Sequence, residues 1–200
     1  IPREYGGLAL PASTYAKIVT TISEVWMSLS GIFNSHLIMC AAVERFGTPE
    51  QKQEYLPRFA KGEIRGGLAL TEPGCGTDLQ AIRTHAVRDG DNYVINGTKT
   101  WISNGIEGSC FALLVKTDLH AEPRHQGMSL FLAEKGDGFS VSKKLKKLGY
   151  KGIDSAELVF DDYVVPASRL IGGEEGLGFQ HTVGGLELGR INVAARGVGI

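Results

Sequence analysis

A glycine-rich turn at residues 68–78 is the first segment whose residue types could do chemistry. It has the sequence Leu-Ala-Leu-Thr-Glu-Pro-Gly-Cys-Gly-Thr-Asp, an apolar start followed by glycines between hydroxyl side chains. Glycines let successive backbone N–H groups turn toward one anion, and threonine hydroxyls add donors. The turn suits a pyrophosphate or an electron-rich heterocycle, although its glycine spacing is not that of a dinucleotide-binding or P-loop motif. On pattern alone, a plain Gly-Pro turn at a strand end is the better interpretation.

A second candidate lies at residues 101–105, which have the sequence Trp-Ile-Ser-Asn-Gly. Residues two apart on a strand share a face, so Trp101 and Ser103 would present an aromatic ring beside a hydroxyl. Such a pair could stack on a flavin ring and donate a hydrogen bond to it. Taken alone, a core tryptophan at a hairpin end is the more common case.

The third candidate is the pair Glu187 and Arg190 in the last predicted helix. A spacing of three residues places both side chains on one helix face. Several glycines surround the pair, which would let a ligand or a neighbouring helix approach closely. The pair could contact a polar ligand, or it could be an ordinary surface ion pair.

Helical patterns occupy the first third of the chain and would position the glycine-rich turn. Apolar residues recur at steps of three and four before residue 30, which predicts a helix that Gly31 interrupts. A second helix is predicted over residues 35–45. The next one has a capping box between Thr48 and Gln51 and a C-terminal stop at Gly62.

Short strand-like segments separated by turns follow Gly62. Asn96-Gly97 is predicted to form a tight turn, and the regular spacing of the strands predicts an antiparallel barrel or sandwich. Helical spacing returns at Phe179. The predicted fold class is therefore α+β, with three parts: a partial N-terminal helical domain (1–64), a middle β-domain (65–178) and the start of a C-terminal helical bundle (179–200).

Composition excludes several classes of protein. Of 200 residues, 42% are hydrophobic and 22% charged, and the net charge of -1 leaves no basic patch for nucleic acid. The cysteines, Cys40, Cys75 and Cys110, are odd in number and show no zinc-type spacing, so we expect neither a metal site nor a disulfide framework, which fits a reducing compartment. No apolar run approaches the ~18 residues of a membrane helix, so no membrane insertion is expected.

Taken together, these segments resemble the acyl-CoA dehydrogenase family. Residues 70–78 resemble the first signature of that family, and residues 96–105 resemble its flavin-stacking segment. Residues 45–57 are similar to its helical lead-in, and residues 185–190 to the entry into its first C-terminal helix. The match is collinear over essentially the whole chain, whose two ends we expect to be internal to a longer protein.

The resemblance implies that the protein binds FAD. Thr71 would hydrogen-bond the isoalloxazine, Thr77 would meet both the FAD phosphate and the bound thioester, and Ser103 would lie near the flavin N5 edge. The implied cofactor-binding residues are Leu68, Leu70, Thr71, Gly76, Thr77, Trp101, Ile102 and Ser103.

The implied substrate is an acyl-CoA, contacted by Thr77, Glu187 and Arg190. A weaker correspondence places Arg124 and His125 in a loop near the CoA 3′-phosphate.

No catalytic acid or base is expected among these residues. The family uses a glutamate, which some members carry one residue before the arginine that matches Arg190, where this chain has Gly189. The base is therefore expected beyond Ile200, and the isolated chain should be inactive. Glu72 and Asp78 are interpreted as turn carboxylates that accept backbone N–H bonds.

The implied reaction is FAD-dependent oxidation of a saturated acyl-CoA to the 2-enoyl-CoA, with electrons passed to an electron-transfer flavoprotein. The intact protein would belong to fatty acid metabolism, form a homotetramer and lie in the cytoplasm, or in the mitochondrial matrix if eukaryotic. Two alternatives stay open. One is an oxygen-using flavoenzyme of the same fold, an acyl-CoA oxidase or flavin monooxygenase, and the other is a non-catalytic assembly subunit.

Overall fold

The structure is a computed structural model that describes residues 1–200. Its three α-helices are α1 (Ala12–Phe46), α2 (Pro49–Lys61) and α3 (Gly178–Gly199). Its seven strands are β1 (Gly66–Ala69), β2 (His85–Asp89), β3 (Asn92–Ser103), β4 (Cys110–Lys116), β5 (Met128–Glu134), β6 (Phe139–Lys144) and β7 (Ser155–Pro166). Helices thus flank a β-rich middle, and the predicted α+β fold class is confirmed.

Helix α1 is broken at Trp26, not at Gly31 as the sequence predicted. Trp26 has non-helical dihedrals (φ -155°, ψ 92°), whereas Gly31 stays within the helix and is buried. A Cβ on Gly31 would lie 1.5 Å from the hydroxyl oxygen of Tyr150, in the loop between β6 and β7. Gly31 is therefore required by a distant side chain and does not end the helix.

By length and composition, α1 could cross a membrane, contrary to the sequence expectation. That expectation was based on uninterrupted runs of apolar residues. Serines, threonines and glycines interrupt α1, but its mean hydropathy stays within the range of a membrane-spanning helix. Within the fold, 44% of its most apolar window is buried. The core helices of many proteins pass the same test, so this is weak evidence for a membrane span.

Helix α2 begins and ends as predicted. Thr48 Oγ1 accepts the backbone N–H of Gln51 at 3.3 Å, and Gln51 Oε1 accepts that of Thr48 at 3.0 Å, which is a complete capping box. Gly62 ends the helix in the left-handed conformation, with φ +73°.

The strands form one curled sheet of order β1-β4-β2-β3-β7-β6, with β5 also paired to β4. Most pairs are antiparallel, but β1 runs parallel to β4, so the predicted wholly antiparallel barrel or sandwich is corrected to a mixed sheet. The β2–β3 hairpin lies between β1 and β4 in the chain, and this long connection lets them run in the same direction.

Asn96-Gly97 is not the predicted turn, because β3 runs through it with a shift of register against β7. Gly97 has φ +147°, and a Cβ there would lie 2.5 Å from Thr84 Oγ1. Asn96 bonds across the bulge to the side chain and the backbone N–H of Asp162. The Asn-Gly pair therefore makes a β-bulge.

Both faces of the central strand β4 are buried. Phe111 and Leu113 join a core with β3 and β7, whereas Ala112 and Leu114 join a core with α1 and α2. This alternation places the helices on one face of the sheet. Helix α3 packs along α1, where glycines such as Gly189 allow close contact with Ile38.

Candidate functional site

The two predicted cofactor-binding segments lie side by side. The backbone N–H of Thr100 donates to the Thr71 carbonyl oxygen at 2.8 Å, and Lys99 Nζ donates to the Leu70 carbonyl oxygen at 2.9 Å. These bonds join the end of β1 to β3 immediately before Trp101. The structure therefore brings together residues that are about thirty positions apart in the chain.

The glycine-rich turn presents unpaired donors. Paired backbone bonds between Glu72 and Cys75 (2.9 and 3.1 Å) close the turn over Pro73-Gly74. The exposed backbone N–H groups of Gly76 and Thr77 donate to no atom of the chain. A Cβ on Gly76 would meet only the methyl carbon of Thr71, at 3.9 Å. The turn is therefore open toward a ligand that needs hydrogen-bond donors.

Trp101 is exposed over 56% of its surface, so the common alternative of a core tryptophan is wrong. Its backbone is left-handed, with φ +59°, at a second bulge where the β3–β7 register shifts between Lys99 and Ile102. Ile102 points into the core and Ser103 is half-buried. Along this segment the indole of Trp101 is exposed and Ile102 is buried.

These residues fit a flavin nucleotide. They combine an exposed aromatic face (Trp101), threonine and serine hydroxyls and two free backbone N–H groups, which suit a heterocycle and a phosphate. Leu68 and Leu70 are half-buried against the helical core, so these two and Ile102 would contribute mainly backbone atoms.

Glu72 has the structural role predicted for it. Its two carboxylate oxygens accept the backbone N–H groups of Arg83 at 2.7 Å and Thr84 at 3.0 Å. Asp78 does not, because its side chain makes no capping bond to the short 3₁₀ turn that follows it. Asp78 is exposed, so water can satisfy its carboxylate.

Sequence reasoning missed Lys99, which is fully buried and lies 2.8 Å from Glu72 Oε1. Burial lowers the pKa of Lys99 to about 8, against the opposing charge of Glu72. Burial alone would raise the pKa of Glu72, but the Lys99 ammonium and the hydrogen bonds lower it on balance. Only the occurrence of a lysine within a predicted strand could have signalled this pair.

The third candidate lies on the α1–α3 surface. Glu187 forms an ion pair with Arg45 at 2.8 Å, and Arg190 is exposed. The structure does not join this pair by hydrogen bonds to the turn or to Trp101. Arg124 lies in an exposed 3₁₀ turn, where the neighbouring His125 ring contacts Phe179 at a centroid distance of 5.6 Å.

A separate cleft of about 470 Å³ lies between the turn, the start of β2 and the middle of β3. It is lined by Cys75, Arg83, Thr84 and their neighbours, but not by Thr71, Thr77 or Trp101. No group of three or more His, Cys, Asp or Glu side chains could hold a metal ion.

Two family models of known proteins match most of the chain. The family model for the acyl-CoA dehydrogenase N-terminal domain matches residues 1–63, and the model for the middle domain matches residues 67–163. The short-chain specific acyl-CoA dehydrogenase of Clostridium acetobutylicum is 42% identical over 200 residues, which cover 99% of this chain and 52% of that protein. The chain thus spans about half the length of the curated relatives it matches.

Solved structures are similar over the same extent. A structure described with the electron transferring flavoprotein of Acidaminococcus fermentans has a TM-score of 0.94 and 39% identity, covering 100% of this chain and 52% of that one. An acyl-CoA dehydrogenase from Bacillus anthracis complexed with FAD has a TM-score of 0.91 and 33% identity, covering 100% of this chain and 33% of its own.

Proposed function

Because the chain belongs to the acyl-CoA dehydrogenase family, we propose that the whole protein oxidises a saturated acyl-CoA to the 2-enoyl-CoA with FAD as cofactor. Oxidoreductases of this family are FAD-dependent flavoproteins, so the type of chemistry follows from membership. The saturated thioester substrate and the direction of the reaction are our proposal.

One observation carries the proposal to these residues. Trp101 is held exposed by a left-handed backbone, beside a turn in which the N–H groups of Gly76 and Thr77 have no partner in the chain. A tryptophan exposed at the cost of a strained backbone indicates a use for its ring, because such strain persists mainly at functional sites. A flavin would use the ring face and the free donors together.

The reaction needs an α-proton and a β-hydride removed from the acyl group. Bound FAD supplies the hydride acceptor. The residues of this chain bind and orient the cofactor. Gly76 and Thr77 offer backbone N–H donors to its phosphate oxygens, and Thr71 and Ser103 offer hydroxyls to the isoalloxazine ring. Trp101 covers the site and keeps water out, which strengthens the fixed hydrogen bonds that polarise the thioester carbonyl.

The proton must go to a carboxylate that this chain does not provide at the site. Glu72 is committed to Lys99 and to two backbone N–H groups, so it is not free to act as a base. Gly189 stands at the position where some relatives carry the glutamate. We therefore assign the base to a residue beyond Ile200.

Thr77, Glu187 and Arg190 are proposed to contact the acyl-CoA. Glu187 and Arg190 are exposed on α3, so their side chains are accessible to a ligand. The electron acceptor is proposed to be an electron-transfer flavoprotein, which the relation to the A. fermentans structure supports. A homotetrameric assembly and a cytoplasmic or mitochondrial matrix location stay predictions.

The test is an anaerobic titration of the full-length, FAD-loaded protein with saturated acyl-CoAs of different chain lengths. Bleaching of the oxidised-flavin absorbance by one class of thioester would establish dehydrogenation and identify the substrate. Rapid return of the absorbance in air would favour the oxygen-using alternative. If no thioester bleaches bound FAD, the proposal is wrong, and a monooxygenase or an assembly subunit without a base replaces it.

A further inference from the structure

Lys99 and Glu72 form a buried ion pair between the two walls of the proposed flavin site. The Lys99 side chain is 0% exposed and that of Glu72 is 7% exposed. Lys99 lies two residues before Trp101, and Glu72 directly follows Thr71. The pair thus lies directly behind residues proposed to contact FAD, without being one of the contacts.

Three segments of backbone meet at this pair. Lys99 Nζ holds the Leu70 carbonyl oxygen and Glu72 Oε1, while the Glu72 carboxylate holds the N–H groups of Arg83 and Thr84. The turn, the start of β2 and the end of β3 are therefore fixed by the same two side chains.

The pairing of β3 with β7 does not position Trp101. Register partners are Lys99 with Leu158 and then Ile102 with Ala156, which leaves the two residues between them outside the ladder. At this gap, Thr100 donates its N–H to Thr71 instead. The left-handed backbone of Trp101 is thus held from the side of the turn.

Stability alone is a poor explanation for this pair. The desolvation of two buried charges offsets much of their attraction, and a buried ion pair is often replaceable by apolar side chains without loss of stability. The lowered pKa of Lys99 is consistent with that cost. Buried polar contacts are better known for fixing one arrangement of the backbone than for adding stability.

We propose that the Lys99–Glu72 pair is a positioning element that fixes the glycine-rich turn against residues 100–103 and so pre-forms the flavin site. This inference rests on the proposed FAD-dependent function. Lys99 acts through the residues it holds and does not touch the reacting atoms.

The experiment compares Lys99→Met with a matched control, Tyr93→Phe, in the full-length protein. Tyr93 is buried at the opposite end of β3, and its hydroxyl donates to Glu175, so the control removes a polar contact from the same strand. Amide hydrogen exchange is measured on both apoproteins, followed by FAD affinity and the visible spectrum of the bound flavin.

Lys99→Met should speed amide exchange in residues 71–77 and in residues 100–104 together, and weaken FAD binding by about tenfold or more, because Glu72 is left without its charge partner. The flavin bands should also lose their resolved shape. Tyr93→Phe should change none of these near the site, whatever its effect on melting temperature.

The inference is wrong if Lys99→Met leaves both segments exchanging as in the wild type, or if both variants weaken FAD binding in proportion to lost stability. If Lys99→Met does not fold, Glu72→Gln keeps one acceptor oxygen for Lys99, and the same two readings apply. Failure of the proposed function gives a different result: the wild type would bind no FAD, or no saturated acyl-CoA would bleach its bound FAD. In either case the exchange data on the apoproteins would still decide whether the pair couples the two segments.

Discussion

Arg45 Nη1 lies 2.8 Å from Glu187 Oε2, and the same guanidinium donates to the Gly184 carbonyl oxygen at 2.8 Å. The contact joins α1 to the face of α3 that is proposed to meet the acyl-CoA. The two side chains are 48% and 59% exposed, and an exposed pair of this kind contributes only about 0–1 kcal/mol to stability. A substitution of Glu187 can therefore distinguish its contribution to stability from its proposed contact with the ligand.

Glu187→Gln should lower the free energy of unfolding by less than ~1 kcal/mol, because water replaces most of what the ion pair contributes. It should also raise the Kd for the acyl-CoA by roughly tenfold, if the carboxylate accepts a charge-assisted hydrogen bond from the ligand. Denaturant unfolding and ligand titration of the full-length protein measure the two effects. The control is Lys61→Gln, which breaks the exposed pair with Glu63. An unchanged Kd in Glu187→Gln would mean that Glu187 only forms a surface ion pair and does not contact the ligand.

Trp101→Gly should separate the energetic cost of the strained backbone from the contribution of the indole ring to FAD binding. Glycine adopts φ near +59° without strain, whereas a strained non-glycine residue costs about 1–3 kcal/mol. Because the exposed indole contributes little burial, we expect the melting temperature of the apoprotein to hold or rise. FAD affinity should fall by roughly fivefold, since the loss of a stacked ring costs ~1 kcal/mol.

Trp101→Ala is the matched variant, because it removes the same ring and keeps the strained backbone. Calorimetry and flavin titration check both substitutions. A loss of about 3–5 kcal/mol in either variant would show that the ring is part of the core, as in other buried tryptophan truncations.

Local signals in the sequence were reliable where neighbouring residues settle the structure. The capping box between Thr48 and Gln51 uses residues three apart, and the left-handed end at Gly62 needs only glycine. Each of these depends on a contact or dihedral within one turn or one strand.

Predictions from the sequence were wrong where a residue far along the chain determines the local structure. Gly31 was predicted to interrupt a helix, but it makes room for Tyr150. Gly97 was predicted to lie in a turn, but it makes room for Thr84. The sequence shows Lys99 within a predicted strand, but not that it is buried against Glu72. A pattern specifies that a glycine or a charge is needed, but only the fold shows which neighbour needs it.

Gly31→Ala tests that explanation directly. The new methyl carbon would overlap the Tyr150 hydroxyl, 1.5 Å away, and overpacking of this kind costs about 1–3 kcal/mol. In a Tyr150→Ala background the overlap is gone, and alanine should stabilise the helix by up to ~1 kcal/mol relative to glycine. A double-mutant cycle from denaturant unfolding measures the coupling. Equal costs in the two backgrounds would mean that Tyr150 does not set the requirement for glycine.

The last prediction concerns acid stability and His181 on α3. The residue is 5% exposed, and its ring stacks on Phe46 with a centroid distance of 4.5 Å. Burial lowers the pKa of His181 below the ordinary value of 6.5, while the charge of Glu174 acts in the opposite direction. His36 on α1 has its pKa lowered in the same way, mainly by burial.

A lowered pKa in the folded state fixes the sign of the effect. As the pH falls through 6.5, the unfolded chain takes up a proton that folded His181 does not, so the free energy of unfolding decreases. The contribution is fully present above about pH 6.5 and is lost as the pH falls toward the folded pKa. His181→Gln should therefore flatten the pH dependence of unfolding between about pH 7 and 5, and His36→Gln should flatten it further. His120→Gln is the matched control, because it removes an exposed histidine by the same substitution. If His181→Gln keeps the wild-type pH dependence of unfolding, His181 is protonated in the folded protein at no cost in stability. Helix α3 would then pack less tightly on α1 than the stacking of His181 on Phe46 indicates.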